Sequence, residues 1–235
     1  MRNLFIEKIY NLCDGKKAEE VFLTYIKSDG TQDDITYRSF GLKCELLMQK
    51  FQKSILHRKD RVLLLTPMSP FGCIAVTALA ISELVSVVLN PQLPEEELDS
   101  LVKKSDISGI VCDEEIYQKY AYKWTQKYPV FNIKTGDLFH DREYFSEPSK
   151  DSDDVLAILY SSGTTSEPKG VMITYEAQMK SAELLLRAFG TNDIRYLLVF
   201  PMFHVSGFSV FFALFLGGGQ HLAGGGAVAP AAYGQ

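Results

Sequence analysis

The segment best equipped for chemistry is "LYSSGTTSEPKG", residues 159–170, which overlaps the end of the apolar run "VLAILY". Glycine lets backbone N–H groups approach an anion closely, hydroxyl groups donate hydrogen bonds to it, and a lysine adds positive charge. Together these groups predict a loop that holds a polyphosphate. The residues assigned to it are Ser161, Ser162, Gly163, Thr164, Thr165 and Lys169. On composition alone, a polar surface turn with a solvated lysine is an equally good interpretation.

This segment does not match the two common nucleotide-binding loops. A Walker A loop requires a glycine directly before its lysine and a hydroxyl residue directly after it. Here Pro168 precedes Lys169 and Gly170 follows it. No G-x-G-x-x-G sequence follows the first predicted strand either, so a dinucleotide-binding fold has little support.

The elements that must position the loop are predicted strands and helices that alternate from Arg61 onward. The apolar runs "RVLLLTP", "VSVVLN" and "SGIVCD" begin about 23 residues apart, with helical segments between them. This spacing predicts a mostly parallel sheet with helices on both faces over residues 61–216. Open parallel sheets bind ligands at the carboxyl ends of their strands, and the loop after "VLAILY" lies at such an end.

Composition excludes several classes of protein. The net charge of −5 argues against a nucleic-acid partner. The four cysteines are far apart and no pair has C-x-x-C spacing, which disfavours a zinc site and a disulfide framework and indicates reduced thiols in a cytoplasmic protein. The start of the chain lacks signal-peptide features, and the most apolar stretch, "GFSVFFALFLGGG", is too short for a transmembrane segment.

The order of residues in "YSSGTTSEPKG" is more specific than their composition. It resembles the phosphate-loop signature of the adenylate-forming superfamily, which includes acyl- and aryl-CoA synthetases, luciferases and the adenylation domains of peptide synthetases. All positions but one match, and the exception is Ser166, where the family usually has glycine. The segments "ITYRSF" and "FPMFHVSGFSV" resemble family segments on either side of the loop. The resemblance implies an α/β fold of mostly parallel sheets flanked by helices, corresponding to the N-terminal subdomains of an adenylate-forming enzyme.

The resemblance also singles out His204 and Gly207, in a P-x-x-H-x-x-G pattern that is typical of acyl- and aryl-CoA ligases. In the family this segment lines the acyl pocket, so both residues are assigned to substrate binding. Amino-acid-activating members commonly have an aspartate here, so an amino-acid substrate is disfavoured. Without the resemblance, a histidine beside aromatic residues is more often part of a core. Because His204 follows a predicted buried strand and a proline and precedes a helix, we expect it at the same sheet edge as the loop. Phe208, Phe211 and Phe212 either line an acyl tunnel or form ordinary helix core, and we favour the core.

By resemblance, the reaction is the ATP-dependent activation of a carboxylic acid to an acyl-adenylate, followed by transfer to coenzyme A. The implied ligands are ATP, Mg²⁺, coenzyme A and a small-molecule carboxylate, and the loop would hold the β- and γ-phosphates. The glycine-rich sequence from Gly217 onward has no charge and no clear strand. The family segments that bind adenine and metal and supply the adenylation lysine are not found, so catalytic residues stay unassigned. We expect residues 1–222 to be a partial AMP-binding domain of a truncated acyl-CoA synthetase-like protein. We expect residues 223–235 to be a Gly/Ala-rich tail that is either outside the family sequence or disordered.

Three alternatives stay open. The chain can be a non-catalytic relative that serves as an interaction module. It can be a fatty acyl-AMP ligase or another relative of the adenylation domains. It can also be an unrelated α/β protein whose loop binds a different phosphate ligand.

Overall fold

The computed structural model describes residues 3–27, 29–67, 69–133, 154–161, 168–190 and 194–224. The helices are α1 (Leu4–Asp14), α2 (Tyr37–Gln52), α3 (Pro70–Ile81), α4 (Glu95–Ser105), α5 (Glu114–Trp124), α6 (Tyr175–Phe189) and α7 (Val205–Gly217). The strands are β1 (Val21–Ile26), β2 (Gln32–Thr36), β3 (Arg61–Leu65), β4 (Val85–Val88), β5 (Gly109–Cys112), β6 (Val130–Asn132), β7 (Val155–Ser161), β8 (Lys169–Thr174), β9 (Arg195–Leu198) and β10 (Gln220–Gly224).

The strands form two sheets. The six-stranded sheet has the order β6-β5-β3-β4-β7-β8 and is parallel except for β8. The four-stranded sheet has the order β2-β1-β10-β9 and is parallel except for β2. The prediction of mostly parallel sheets flanked by helices is therefore confirmed. The prediction of one sheet over residues 61–216 is wrong, because β9 pairs with β10 in the second sheet.

The apolar runs of the sequence form strands that are buried on both faces of the sheet. In β3, Val62 and Leu64 belong to the larger apolar core, which also contains residues of α1, α2, α3, α6 and α7. Leu63 and Leu65 belong to a smaller core under α4 and α5. Successive side chains of a strand point to opposite faces, so only a continuous apolar run satisfies both cores.

Two threonines begin helices in the same way. The Thr36 hydroxyl accepts a hydrogen bond from the Ser39 N–H at the start of α2, and the Thr174 hydroxyl accepts one from the Ala177 N–H at the start of α6, each at 3.1 Å. Such caps satisfy N–H groups that have no partner within the helix. The equivalent caps indicate that the two strand-to-helix corners have the same local structure.

The two corners belong to a β-β-α-β-α-β unit that occurs twice, over residues 21–88 and 155–224. The hairpins of the two copies end in "ITY", at residues 35–37 and 173–175, and each hairpin has a register shift at the same place. The parallel strand pairs begin with "RVLLLTP" at residues 61–67 and "RYLLVFP" at residues 195–201. The sequence reasoning missed this repeat, although the two heptapeptides carry its signal.

The two copies exchange their hairpins. The hairpin β1–β2 of the first copy pairs with β10 of the second, and the hairpin β7–β8 of the second pairs with β4 of the first. The tyrosines of the two "ITY" corners reinforce the exchange. The Tyr37 hydroxyl donates to the Gly219 carbonyl, and the Tyr175 hydroxyl donates to the Ala80 carbonyl, each at 2.6 Å. Neither sheet is therefore built from one copy alone.

The glycine-rich sequence after Gly217 contains a strand that its pattern did not indicate. Strand β10 lies between β1 and β9, with His221 opposite Leu23 on one side and opposite Tyr196 on the other. Backbone hydrogen bonds on both edges hold this segment, so it needs no alternating side-chain pattern. The expected boundary after residue 222 stays a prediction.

No helix in the part of the chain that the structure describes is long and apolar enough to cross a membrane.

His221 is buried in an aromatic environment. Its ring centroid lies 4.9 Å from that of Phe22 and 5.4 Å from that of Phe211, and neither ring nitrogen has a hydrogen-bond partner within the described residues. Burial lowers the pKa of His221 from 6.5 to about 3, because the charged imidazolium loses its hydration. The folded protein therefore holds this imidazole neutral.

We expect His221 to make the protein sensitive to acid. Below about pH 6 the unfolded chain binds a proton at this residue and the folded chain does not, so folding loses about 1.4 kcal/mol for each further unit of pH down to the folded pKa. Urea unfolding of His221→Leu from pH 7 to pH 4 should show a correspondingly shallower fall in the free energy of unfolding. His57→Gln, which changes an exposed histidine, is the control. A wild-type slope in His221→Leu would contradict the expectation.

Candidate functional site

The predicted phosphate loop connects the two strands of the hairpin β7–β8. Strand β7 ends at Ser161 and β8 begins at Lys169, and these two residues are cross-strand partners. Because β7 is parallel to β4, the loop leaves the sheet at the carboxyl ends of the parallel strands, as predicted. Residues 162–167 lie outside the described residues, so the contacts assigned to Ser162, Gly163, Thr164 and Thr165 stay predictions.

The exposed Lys169 brings a cation to the base of this loop. It is the first residue of β8, and its pairing with Ser161 brings the two ends of the loop together. A lysine is a compact point charge with three donor hydrogens, which suits a phosphate group that approaches from solvent. The structure thus brings two of the predicted residues together, Lys169 and the backbone of Ser161.

Gly170 and Tyr160 pair directly across the hairpin. A Cβ atom on Gly170 would lie 3.0 Å from Ile158 Cγ2 and 3.4 Å from Tyr160 Cζ. The distance to Ile158 is tighter than ordinary van der Waals contact and the distance to Tyr160 is at its lower limit, so glycine leaves room for both side chains against β8. The first and last residues of "YSSGTTSEPKG" therefore have a structural role at the base of the loop.

The last turn of α4 supports this base, a contact that the sequence did not predict. The Tyr160 hydroxyl lies 2.9 Å from Ser105 Oγ. Ser105 Oγ donates to the Leu101 carbonyl at 2.6 Å, so it accepts from Tyr160. Lys104 Nζ donates to the Pro168 carbonyl at 3.2 Å. Ser105 and Lys104 are distant from the loop in sequence, and no local pattern identified them.

His204 occupies an exposed position at the start of α7. Its backbone N–H donates to the Pro201 carbonyl at 3.0 Å, and its ring centroid lies 4.9 Å from that of Phe203. The expectation that His204 lies at the same sheet edge as the phosphate loop is wrong. It follows β9, which belongs to the four-stranded sheet, whereas the loop follows β7 of the six-stranded sheet.

Gly207 is buried in the first turn of α7. A Cβ atom there would overlap the carbonyl oxygens of Phe200 and Pro201, so this turn packs directly on the preceding backbone. The equivalent residue of the first copy, Gly72, also faces a proline carbonyl, that of Pro67. The conformation of the fold therefore requires Gly207, whatever its role toward a substrate.

The aromatic side chains of α7 form core. Phe208, Phe211 and Phe212 are all fully buried. The Phe212 ring centroid lies 5.0 Å from that of Phe5, and the Phe211 centroid lies 6.1 Å from that of Phe22. The favoured interpretation as helix core is confirmed.

Neither thiols nor metal ligands form a second site in the part of the chain that the structure describes. All four cysteines are free and buried. Burial raises the pKa of the Cys73 and Cys112 thiols to about 12, so both stay protonated and unreactive near neutral pH. No group of three or more His, Cys, Asp and Glu side chains that could hold a metal ion occurs among these residues.

Comparison with known proteins gives one consistent family. The family profile described as AMP-binding enzyme matches residues 13–232. The chain is 31% identical over 136 residues to a 2-succinylbenzoate–CoA ligase of Bacillus mycoides, covering 57% of this chain and 27% of that protein. It is 27% identical over 192 residues to 4-coumarate–CoA ligase 2 of Petroselinum crispum, covering 74% and 35%.

A solved structure agrees with the fold. The O-succinylbenzoate coenzyme A synthetase MenE from Bacillus subtilis, in complex with ATP and magnesium ion, superposes with a TM-score of 0.77 at 19% identity. The superposition covers 95% of this chain and 57% of that chain. The chain thus spans about a third or less of the two curated relatives and little more than half of this structure.

The packing of Gly207 predicts a cost for adding one methyl group. Gly207→Ala should lower the free energy of unfolding by about 1–3 kcal/mol, because the new Cβ forces α7 away from the backbone beneath it. Urea denaturation measures the change. Ser206→Ala, at the exposed preceding position, should change stability by less than about 0.5 kcal/mol. If the two variants are equally stable, the packing role of Gly207 is wrong.

Proposed function

This chain belongs to the family of AMP-binding enzymes, and from that premise we propose that its β7–β8 hairpin binds the phosphates of ATP during activation of a carboxylic acid. The observation that carries the proposal is the position of Lys169, which places an exposed cation at the base of the loop and at the carboxyl end of a buried parallel strand. The order of residues in "YSSGTTSEPKG" and the CoA ligases among the relatives support it.

The chemistry of this step accounts for the residues of the loop. A carboxylate oxygen attacks the α-phosphorus of ATP, the bond to the bridging oxygen breaks, and pyrophosphate leaves with the bonding electrons. Negative charge therefore grows on the pyrophosphate oxygens. A lysine and fixed hydrogen-bond donors at these oxygens stabilise the transition state more than the bound substrate. We assign this role to Lys169 and to the hydroxyl and backbone donors of Ser161, Ser162, Gly163, Thr164 and Thr165.

The remaining ligands follow from the same proposal. A bound Mg²⁺ would neutralise phosphate charge, and no described residue is assigned to it. We assign binding of the carboxylate substrate to His204 and Gly207. The exposed position of His204 leaves it accessible to a ligand. In a second step the thiol of coenzyme A would displace AMP from the acyl-adenylate. A fatty acyl-AMP ligase differs from a CoA ligase in the acceptor of the acyl group. The described residues are compatible with both types of ligase.

A second candidate is a phosphate-binding module that does not complete the reaction alone. This chain covers 27% and 35% of the two ligases. This coverage favours phosphate binding as the activity of these residues by themselves. Both candidates use the same loop, and pyrophosphate–ATP exchange distinguishes them. The buried reduced thiols are consistent with a cytoplasmic location, which we propose.

Mg-pyrophosphate is the simplest probe of the loop, because it carries the leaving group's charge without the nucleoside. We expect the wild-type chain to bind it weakly in titration calorimetry. Lys169→Ala should weaken this binding by about 1–3 kcal/mol, the usual value of a charge-assisted contact. Thermal stability should barely change, because Lys169 is exposed.

Lys180→Ala is the matched control, since it removes an exposed lysine from α6. It should bind Mg-pyrophosphate like the wild type. Equal affinity of Lys169→Ala and the wild type, or no binding by either, would mean that the segment is a surface turn.

A further inference from the structure

The order of strands in the six-stranded sheet creates a crevice away from the proposed phosphate loop. Strands β3, β4, β5 and β6 lie side by side in the order β4-β3-β5-β6. The helix after β3, α3, packs into the larger core, whereas α5, the helix after β5, packs into the smaller core on the other face. The two helices therefore begin on opposite faces of the sheet, beside a crevice at the carboxyl ends of β3 and β5. Open α/β sheets bind ligands in such a crevice, where the strand order reverses.

This crevice shares a sheet edge with the proposed phosphate loop but does not adjoin it. Leu65 pairs with Cys112, so Thr66 and Asp113 follow β3 and β5 side by side. The loop follows β7, and β4 lies between β7 and β3. Adjacent strands are about 4.8 Å apart, which places the crevice about 10 Å from the loop along the edge of the sheet.

Hydrogen-bond donors without acceptors occur at the start of α3. The Ser69 hydroxyl accepts from the Gly72 N–H at 3.3 Å, and its own proton has no acceptor within the described ranges. Pro70 has no N–H, and the Phe71 N–H lies in the first turn, where a helix offers no acceptor. These donors and the positive end of the helix dipole favour the binding of an oxyanion.

The Thr66 hydroxyl lies against the same turn. Thr66 is 9% exposed, and its hydroxyl makes no hydrogen bond to any described residue. A Cβ atom on Gly72 would lie 2.6 Å from Thr66 Oγ1, so glycine leaves this hydroxyl room against the helix. A buried hydroxyl without a partner destabilises the fold unless another group bonds to it. Thr66 is therefore a further donor that a ligand at this position would satisfy.

The packing of the repeated unit does not require the Thr66 hydroxyl. The arginines that begin β3 and β9 occupy equivalent positions in their registers, and Thr66 and Phe200 lie at the same distance after them. The second copy thus has an exposed phenylalanine where the first has a buried threonine. The hydroxyl belongs to the first copy alone, which favours a role in binding over a role in the fold.

We propose that this crevice binds a phosphate ester that carries free hydroxyl groups. The phosphate oxygens accept from the Thr66 and Ser69 hydroxyls and from the Phe71 N–H. The hydroxyls of the ligand donate to the carboxylate of Asp113. This carboxylate accepts from the Ile116 N–H at 2.9 Å and retains capacity for further donors. A helix N-terminus for the phosphate, with a carboxylate on the neighbouring strand for the hydroxyls, suits sugar phosphates and nucleotides.

Asp113 distinguishes a phosphate ester from inorganic phosphate. Its carboxylate repels any oxyanion, but a hydroxyl on the ligand can donate a hydrogen bond to it. Burial raises the pKa of Asp113, because the charged carboxylate is partly desolvated. A hydroxyl donor replaces part of this lost hydration. The ester is therefore the better ligand, although both share the phosphate group.

Amide NMR on the intact chain tests the proposal, with ribose 5-phosphate as the probe. We expect saturable shifts of the Phe71 and Gly72 amide signals, and about tenfold higher affinity than for inorganic phosphate. Thr66→Val removes only the hydroxyl and should weaken binding of ribose 5-phosphate about tenfold. Thr66→Ser, which keeps a hydroxyl, should restore it. Because the hydroxyl has no partner in the fold, the melting temperature of Thr66→Val should stay unchanged or rise.

Thr77→Val is the matched control, because Thr77 Oγ1 is also buried and without a partner among the described residues but lies beyond the first turn of α3. It should bind ribose 5-phosphate like the wild type. Lys169→Ala should do the same, since its change lies at the proposed phosphate loop. Asp113→Asn keeps an oxygen that can accept from the Ile116 N–H, and it should reduce the preference for ribose 5-phosphate over inorganic phosphate.

Three results would overturn the proposal. The first is the absence of saturable shifts at Phe71 and Gly72, or their loss in Lys169→Ala, which would place the probe at the phosphate loop. The second is equal affinity of Thr66→Val and the wild type. The third is equal affinity of the wild type for ribose 5-phosphate and inorganic phosphate, which would indicate an adventitious ion only.

Discussion

The exchange of hairpins between the two halves of the chain is the constraint on which the rest of the structure depends. Strand β7 pairs with β4, and β1 pairs with β10, so each sheet contains strands from both copies of the repeated unit. Neither copy can close its core alone, and the tyrosine at each strand-to-helix corner bonds to the other copy. Since β7 lies inside a sheet that is covered on both faces, its chain meets solvent only where the strand ends. The segment that we propose as the phosphate loop follows that end.

Contacts with residues that are distant in sequence hold the two ends of the loop. Strands β7 and β8 fix the separation of the loop's two ends, and the last turn of α4 bonds to Tyr160 on one side and to Pro168 on the other. Gly170, next to Lys169, leaves room for the side chains of Ile158 and Tyr160 on the paired strand. A cation on a well-supported hairpin loses little freedom when a phosphate binds, which is how a rigid scaffold makes a short loop useful.

Sequence reasoning recovered the parts of the fold that local chemistry determines. Apolar runs such as "RVLLLTP" predicted strands because burial on two faces requires them. The residue types of the loop led to the prediction that it binds a phosphate, and this stays a prediction. Tertiary pairing decided the rest. Strand β10 has a glycine-rich sequence and forms because two neighbours hold its backbone. The position of His204 depends on which sheet contains β9. The residues around His204 do not reveal which sheet that is.

A lysine-reactivity footprint tests whether Lys169 contacts a polyphosphate. The intact chain is acetylated briefly with and without Mg-pyrophosphate, and the rate at each lysine is measured by mass spectrometry. Pyrophosphate should slow acetylation of Lys169, while the exposed Lys53 and Lys180 react at unchanged rates. Slower acetylation at every lysine, or an unchanged rate at Lys169, would contradict it.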